Sequence, residues 1–184
     1  TKDTIPPEAS LKFSEDVEGR PSTKADITIW FNEEVWDYQS KKTLTSQDVK
    51  KNVTLYSLVD SNENKIEFDE NKIEIGTSPE GKSFIKFTPE SLNLHSGTKY
   101  VFELSGIVDT SNNRMKDGYR DNLHFETVPP LVQLTKLDDD GKMDIIFRAE
   151  PQESDTEETV LYDMVLESDL MVRFELYERN NSQS

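Results

Sequence analysis

Phe84-Ile-Lys-Phe-Thr-Pro-Glu-Ser-Leu-Asn-Leu-His-Ser-Gly-Thr-Lys-Tyr-Val-Phe-Glu-Leu104 is two strands with the connection between them. Side chains alternate across a strand, so Tyr100, Phe102 and Leu104 line one face of the second strand. On the first strand Ile85 and Phe87 form the inward pair. Phe84 has the opposite parity and points outward unless the strand bulges there. Gly97 suits a turn position with positive φ. Tyr100 is expected to bury its ring between two sheets while its hydroxyl finds a backbone partner.

The same period of two recurs on both sides. Upstream, Ala25-Asp-Ile-Thr-Ile-Trp-Phe31 places Ala25, Ile27, Ile29 and Phe31 on one face. Residues 9–13 read as a short edge strand behind Pro6-Pro7, a pair excluded from helix interiors and central strands. Further strands are expected at 53–58, 65–68, 72–75 and 123–127, with turns at 60–64, 69–71 and 78–81. Residues 44–52 are the best helical segment, capped by Thr45 or Ser46 with Asp48 near the positive end. That segment is too short to stand as a core helix. Many short strands with turn signals between them define an all-β sandwich.

Pro129-Pro130 repeats the punctuation of the N-terminus and is read as a domain boundary, giving 1–128 and 129–184. Four more strands are expected beyond it, at 132–137, 143–149, 160–167 and 171–177, with Asp140-Gly141 as a tight turn. Residues 129–184 carry 14 acidic and 5 basic residues, a net charge of −9, against 23 and 16 in residues 1–128. The second part is therefore a small acidic β-rich domain, or part of a larger one.

The residues that open and close the strands resemble a known family. Pro89, Leu94, Gly97, Thr98 and Tyr100, then Ile107-Val-Asp-Thr-Ser-Asn-Asn113 and Phe125-Glu-Thr127, follow in order the marks of the bacterial Ig-like domain family of S-layer type. Ile29-Trp-Phe-Asn-Glu-Glu-Val35 is similar to that family's "Ile-x-Phe-Ser-x-x-Val", with Asn32 for Ser. Ser111 or Asn112 stands where the family favours Gly. The resemblance covers residues 5–128 and implies an Ig-like antiparallel β-sandwich, followed here by a second, smaller β region. Two segments depart from the pattern, an extra loop at 36–48 and a long polar turn at 109–122.

Composition bounds the function. Hydrophobic residues are 33% and charged residues 32% of the 184, and the net charge is −16. Such an acidic surface repels phosphate backbones and anionic lipid, so nucleic acid is set aside as a partner. No run approaches the roughly 18 apolar residues of a membrane-spanning helix, so no membrane insertion is expected in this segment. With no cysteine in the chain, Cys-ligated metals and thiol catalysis are excluded. Thr1 is not an initiator Met, and the expectation is a piece of a longer protein whose export signal or wall anchor lies outside it.

The search for chemistry finds little. His95 and His124 are the only histidines, one read in a turn and one facing away from Leu123 and Phe125. No nucleophile or His-x-x-x-His motif is present. Calcium is the one cofactor for which the sequence offers clustered oxygen donors, at 60–64, at 109–113 and above all at Asp138, Asp139 and Asp140 between the two domains. None of these segments is an EF-hand, and each also reads as a turn stabilised by Asx side chains. Trp30, Trp36 and Tyr38 are candidate ligand contacts by stacking, should they form a contiguous exposed patch. The expected function is a non-catalytic spacer module of a bacterial cell-surface or secreted protein, located at the cell surface or wall, with neighbouring domains as partners. The alternatives are a binding module for carbohydrate, a cell-wall or protein ligand, or calcium, and an accessory domain of a secreted enzyme.

Overall fold

The computed structural model describes residues 3–129 and the backbone of three further strands. Strands β1 (Ala9–Phe13), β2 (Asp16–Val17), β3 (Arg20–Pro21), β4 (Ile27–Phe31), β5 (Val35–Asp37) and β6 (Lys42–Thr43) come first, followed by helix α1 (Ser46–Asn52). Strands β7 (Val53–Val59) and β8 (Asn62–Ile66) form a hairpin. A 3-10 turn at Glu70–Lys72 leads to β9 (Ile73–Thr77) and β10 (Ser83–Phe87). The helical turn α2 (Pro89–Leu92) precedes β11 (Lys99–Leu104), β12 (Ile107–Asp109) and β13 (His124–Glu126). The last three strands are β14 (Leu131–Leu134), β15 (Ile145–Arg148) and β16 (Val160–Asp163).

Two four-stranded antiparallel sheets, β1-β4-β10-β9 and β13-β11-β7-β8, form an all-β sandwich. A three-stranded sheet β12-β5-β6 and the small β2-β3 hairpin complete residues 3–129, and β15-β14-β16 is a separate sheet. The alternation dictates the packing. Ile27, Ile29, Phe31, Ile85 and Phe87 from one sheet and Val53, Leu55, Tyr100, Phe102 and Leu104 from the other join one buried cluster. Aromatic rings run through it in sequence. Phe68 meets Phe87 edge-on at 5.2 Å, Phe87 meets Phe102 at 4.9 Å, and Phe102 meets Phe125 at 5.8 Å. Tyr100 stacks on Phe125 at 5.3 Å, and the His95 N–H donates to the Tyr100 hydroxyl at 2.9 Å, as its buried polar tip requires. Gly97 holds φ +58° and Asn112 holds φ +71°, so Asn takes the left-handed turn position expected for Gly.

Phe84 does point outward. It packs on Trp30 at 5.0 Å, and a Cβ placed on Gly76 of the neighbouring strand would fall 2.6 Å from its ring. An aromatic side chain thus covers an edge-strand glycine and restores the contact that the glycine lacks.

Several expected boundaries move. The turn at 60–64 contracts to Asp60 and Ser61, both left-handed at φ 48° and 64°, and β8 starts at Asn62 opposite Val59. Two left-handed residues make the tight turn whose twist matches the flanking strands. The strand expected at 65–68 therefore ends at Ile66, and Phe68 reaches the core from beyond it. Helix α1 has the capping box its sequence suggests. The Asp48 N–H donates to Thr45 Oγ1 at 3.2 Å and the Thr45 N–H to Asp48 Oδ2 at 2.9 Å. Short as it is, α1 buries Val49 completely in the core, so it is more than a surface turn.

The segments 36–48 and 109–122 are not two independent loops. The first contains β5, β6 and the start of α1. The second begins on β12, and Val35, Trp36 and Asp37 of β5 pair with Asp109, Val108 and Ile107. The fourth strand expected at 171–177 lies outside the described residues.

Phe102→Ala is expected to lower unfolding free energy by about 3–5 kcal/mol, and Phe84→Ala by only about 1 kcal/mol, the scale of a cross-strand pair. Urea denaturation of both variants measures this. Equal losses would contradict the division into an inner core and an outer aromatic layer.

Candidate functional site

The pairing of β5 with β12 builds the region with most polar chemistry. In β5, Val35 and Asp37 point inward and Trp36 points out. A charge carried inward must be satisfied. Asp37 is 1% exposed. Its Oδ1 accepts from Asn52 Nδ2 at 2.8 Å and from Lys51 Nζ at 3.1 Å, and its Oδ2 accepts the Ser40 N–H at 2.7 Å. Burial by itself pushes this carboxyl up. The hydrogen bonds from Asn52, Ser40 and Lys51 together outweigh it and hold the group well below the ordinary aspartate range. Gly106, at φ +71°, lets the chain turn against Asn52, and its carbonyl accepts the Tyr38 N–H at 2.9 Å.

The aromatic candidates do not form one patch. Trp30 lies half-buried on the outer face of the first sheet, against Phe84, with Lys12 Nζ 5.2 Å from its ring centre. Trp36 is half-buried on β5 and its indole N–H donates to Glu34 at 3.0 Å. Tyr38 is 37% exposed, with Lys41 Nζ 3.9 Å and the Arg114 guanidinium 4.0 Å from its ring centre. Lys41 also donates to Asn112 Oδ1 at 2.7 Å. Tyr38 thus fastens the 110–118 turn to the β5-β6 hairpin, and the stacking surface is occupied by the chain's own cations.

The carboxylate of 109–113 acquires neighbours that the sequence did not suggest. Asp109 pairs with Val35, so Glu33, two residues upstream, stands beside it. Asn113 Nδ2 donates to the Asp3 carbonyl at 3.2 Å and brings the incoming segment to the same place. One carboxylate oxygen each of Asp3, Glu33 and Asp109 then lies within 4.8 Å of the others. Asp109 is 1% exposed and accepts the Asn113 N–H and Nδ2 at 2.7 Å each, which closes the turn. Glu33 titrates above the ordinary glutamate range, first because of burial and then because of the Asp109 and Asp3 charges. Three oxygen donors of this kind suit a hard divalent cation such as calcium, which draws its remaining ligands from carbonyls and water. No sequence pattern joins residues 3, 33 and 109, and only the strand pairing reveals the set.

Of the other sites, Asp60–Ser61 serve as the β7-β8 hairpin turn. Asp138, Asp139 and Asp140 lie outside the described residues. His95 and His124 are both exposed. No helix among the described residues is long and apolar enough to cross a membrane. Comparison of the chain with protein-family models, with curated proteins and with solved structures finds no match in any of the three.

Two substitutions test these electrostatics. Asp37→Asn is expected to destabilise the fold at pH 7 by about 2 kcal/mol, the scale of hydrogen bonds to a charged group. Because the folded pKa of Asp37 is lowered, its stabilisation is full above the ordinary aspartate pKa and fades as pH falls through that value. The gap between wild type and variant should therefore close in strong acid. Glu33 has the opposite sign. Its raised pKa means that stability is lost as pH rises above the ordinary glutamate pKa. Glu33→Gln should raise the melting temperature at pH 7 in EDTA and leave it unchanged at pH 3. An unchanged melting temperature at pH 7 would show that the three carboxylates do not oppose one another.

Proposed function

We propose that residues 1–128 are an Ig-like spacer module of a bacterial cell-surface or secreted protein, one that holds neighbouring domains apart and resists extension. The observation that carries this reading is where the chain comes in and where it leaves. The incoming segment lies at the Ala9 end of β1, where the Ala9 N–H donates to the Tyr119 hydroxyl at 3.2 Å and the Asn32 N–H to the Glu8 carbonyl at 3.0 Å. The outgoing segment lies beyond the Phe13 end, where the Val128 N–H donates to the Pro21 carbonyl at 2.9 Å. A pull on the two ends therefore acts along β1 and along β13. The ladder bonds of β1 with β4, and of β13 with β11, are loaded together in shear rather than one after another. The resemblance to S-layer-type Ig-like domains and the occupied aromatic surface support this reading over a carbohydrate-binding one.

Force spectroscopy tests it. Handles at the chain termini should require a higher force to release the sandwich than handles on cysteines placed at Glu15 and Lys24, which peel β1 from β4 one bond at a time. The chain has no other cysteine to interfere. An equal or lower force from the termini would sink the spacer reading.

The carboxylates favour a second reading, in which calcium stiffens the junction. A cation held by Asp3, Glu33 and Asp109 would tie the incoming segment to the module and neutralise three converging charges. A thermal melt should rise in millimolar calcium relative to EDTA, and not with magnesium, because binding to the native state alone stabilises it. The rise should vanish in Glu33→Gln. A rise that survives Glu33→Gln but is lost when Asp138, Asp139 and Asp140 are replaced by Asn would move the ion to the second candidate set, and no rise would dismiss calcium.

A further inference from the structure

Ile5 is the most exposed large apolar side chain among the described residues, at 67%. It belongs to Asp3-Thr-Ile-Pro-Pro7, and the chain carries the same pattern again at Glu126-Thr-Val-Pro-Pro130. In both, an acid, a threonine and a β-branched aliphatic residue precede two prolines. The likeness continues into the strands that follow. Ala9 and Leu11 of β1 pair with Phe31 and Ile29 of β4, and Val132 and Leu134 of β14 pair with Phe147 and Ile145 of β15. Ala9 and Val132 each stand two places after the second proline, so sequence and register agree position by position. Glu18-Gly19-Arg20 in the first connection is matched by Asp140-Gly141-Lys142 in the second. The second connection is shorter, and β16 runs beside β14 where β1 is an edge strand. The opening hairpin is the same in both, and a register repeated together with its sequence marks a second unit of one architecture.

The two segments differ in what holds them. Glu126–Pro129 closes the sandwich. The Thr127 N–H donates to the Thr98 carbonyl at 3.0 Å, the Thr98 N–H donates to Thr127 Oγ1 at 3.0 Å, and that hydroxyl donates to the His95 carbonyl at 2.6 Å. The Val128 N–H donates to the Pro21 carbonyl at 2.9 Å, and the Val128 carbonyl accepts the Gly97 N–H at 3.0 Å. Thr127 and Pro129 are buried. Asp3, Thr4, Ile5 and Pro6 offer the same groups in the same order and are all exposed. The Ile5 N–H turns back to its own Asp3 Oδ1 at 3.0 Å.

We propose that Asp3-Thr-Ile-Pro6 is the closing segment of another module of this same kind, and fits the groove that Gly97, Thr98 and the Pro21 carbonyl form here for Thr127 and Val128. The partner is therefore a β-sandwich carrying that turn and that carbonyl. Each closing segment then leads through two prolines into the opening strand of the next module, as Glu126–Pro130 leads into β14. The inference rests on the spacer reading for its purpose alone and names the neighbour that reading leaves open. Amide exchange decides it, whereas force decides the spacer reading, so either can fail while the other stands.

The test is a chain in which residues 1–125 are followed directly by residues 3–184, so that Asp3-Thr-Ile-Pro6 closes the first copy. Isotope label is confined to the first copy by ligation. Its Gly97 and Thr98 amides should exchange within about twofold of their rates in the natural chain, because their acceptors are replaced like for like. Thr4→Val at the joint should speed Thr98 exchange by about tenfold or more, since the accepting hydroxyl is gone. The same substitution at the exposed Thr4 of the natural chain should leave both rates unchanged. If the doubled chain does not fold, Glu126→Asp with Val128→Ile writes the same joint into the 184-residue chain and carries the same expectation. Loss of Gly97 and Thr98 protection by about tenfold in the chain that folds would overturn the proposal. So would indifference of Thr98 to Thr4→Val at the joint, or to Thr127→Val in the 184-residue form.

Discussion

Phe87 and Phe102 meet between the sheets at 4.9 Å, and the rest of the sandwich is arranged around that contact. A chain that is only 33% hydrophobic cannot fill a thick interior. It closes a thin one by placing its largest apolar side chains opposite one another, where each ring excludes water from both sheets. Phe68 seals one side edge-on and Phe125 the other, with Tyr100 and Phe13 beyond. The register of β10 against β4, and of β11 against β7, is thereby fixed, because a slip of one residue would turn Phe87 or Phe102 out to solvent.

The β12-β5-β6 sheet is held on different terms. It supplies Val35 and Ile107 to the main core cluster and buries Val108 beside it. To its strand pairing and these apolar residues it adds a buried carboxylate whose oxygens are both hydrogen-bonded. Asp37 reaches α1 through Asn52 and Lys51 and its own hairpin through the Ser40 N–H. Replacing one partner would leave a buried charge unmatched, so these elements stay together or come apart together. The outer face of the β13-β11-β7-β8 sheet uses a related device. Arg120 binds Glu63 through two bonds and Glu103 through another, and lies over Tyr56. The same arginine therefore ties three strands of a sheet whose outer side faces water.

The strands and their inward faces were legible because a period of two is written residue by residue. Ile27, Ile29, Phe31, Ile85, Phe87, Tyr100, Phe102 and Leu104 all lie where alternation places them, and Phe84 and His124 lie outside. What alternation cannot show is which segments meet. Residues 36–48 and 109–122 read as two polar insertions because β5, β6 and β12 are only two or three residues long, too short for any period to register. Their union is a matter of pairing, and with it went the convergence of Asp3, Glu33 and Asp109. The β2-β3 hairpin was hidden for the same reason, although Glu18-Gly19 between Val17 and Arg20 is a usable signal for a tight turn. Asp37 could not have been singled out among 37 acidic residues, since only burial makes it different.

The two ends of the module are built on opposite principles. Where the chain comes in, three carboxylates converge and Glu33 is driven toward its protonated form by burial and by its neighbours. This end concentrates like charge at one place. Where the chain leaves, no charge is involved in the grip. Val128 is bonded through both its N–H and its carbonyl, and a buried proline with a fixed φ follows at once. Up to Pro129 the outgoing chain is held by covalent and hydrogen-bonding constraints that pH and salt leave alone. The two ends therefore differ in kind, one carrying converging carboxylates that pH and cations act on, the other held by backbone bonds and a proline that they leave alone.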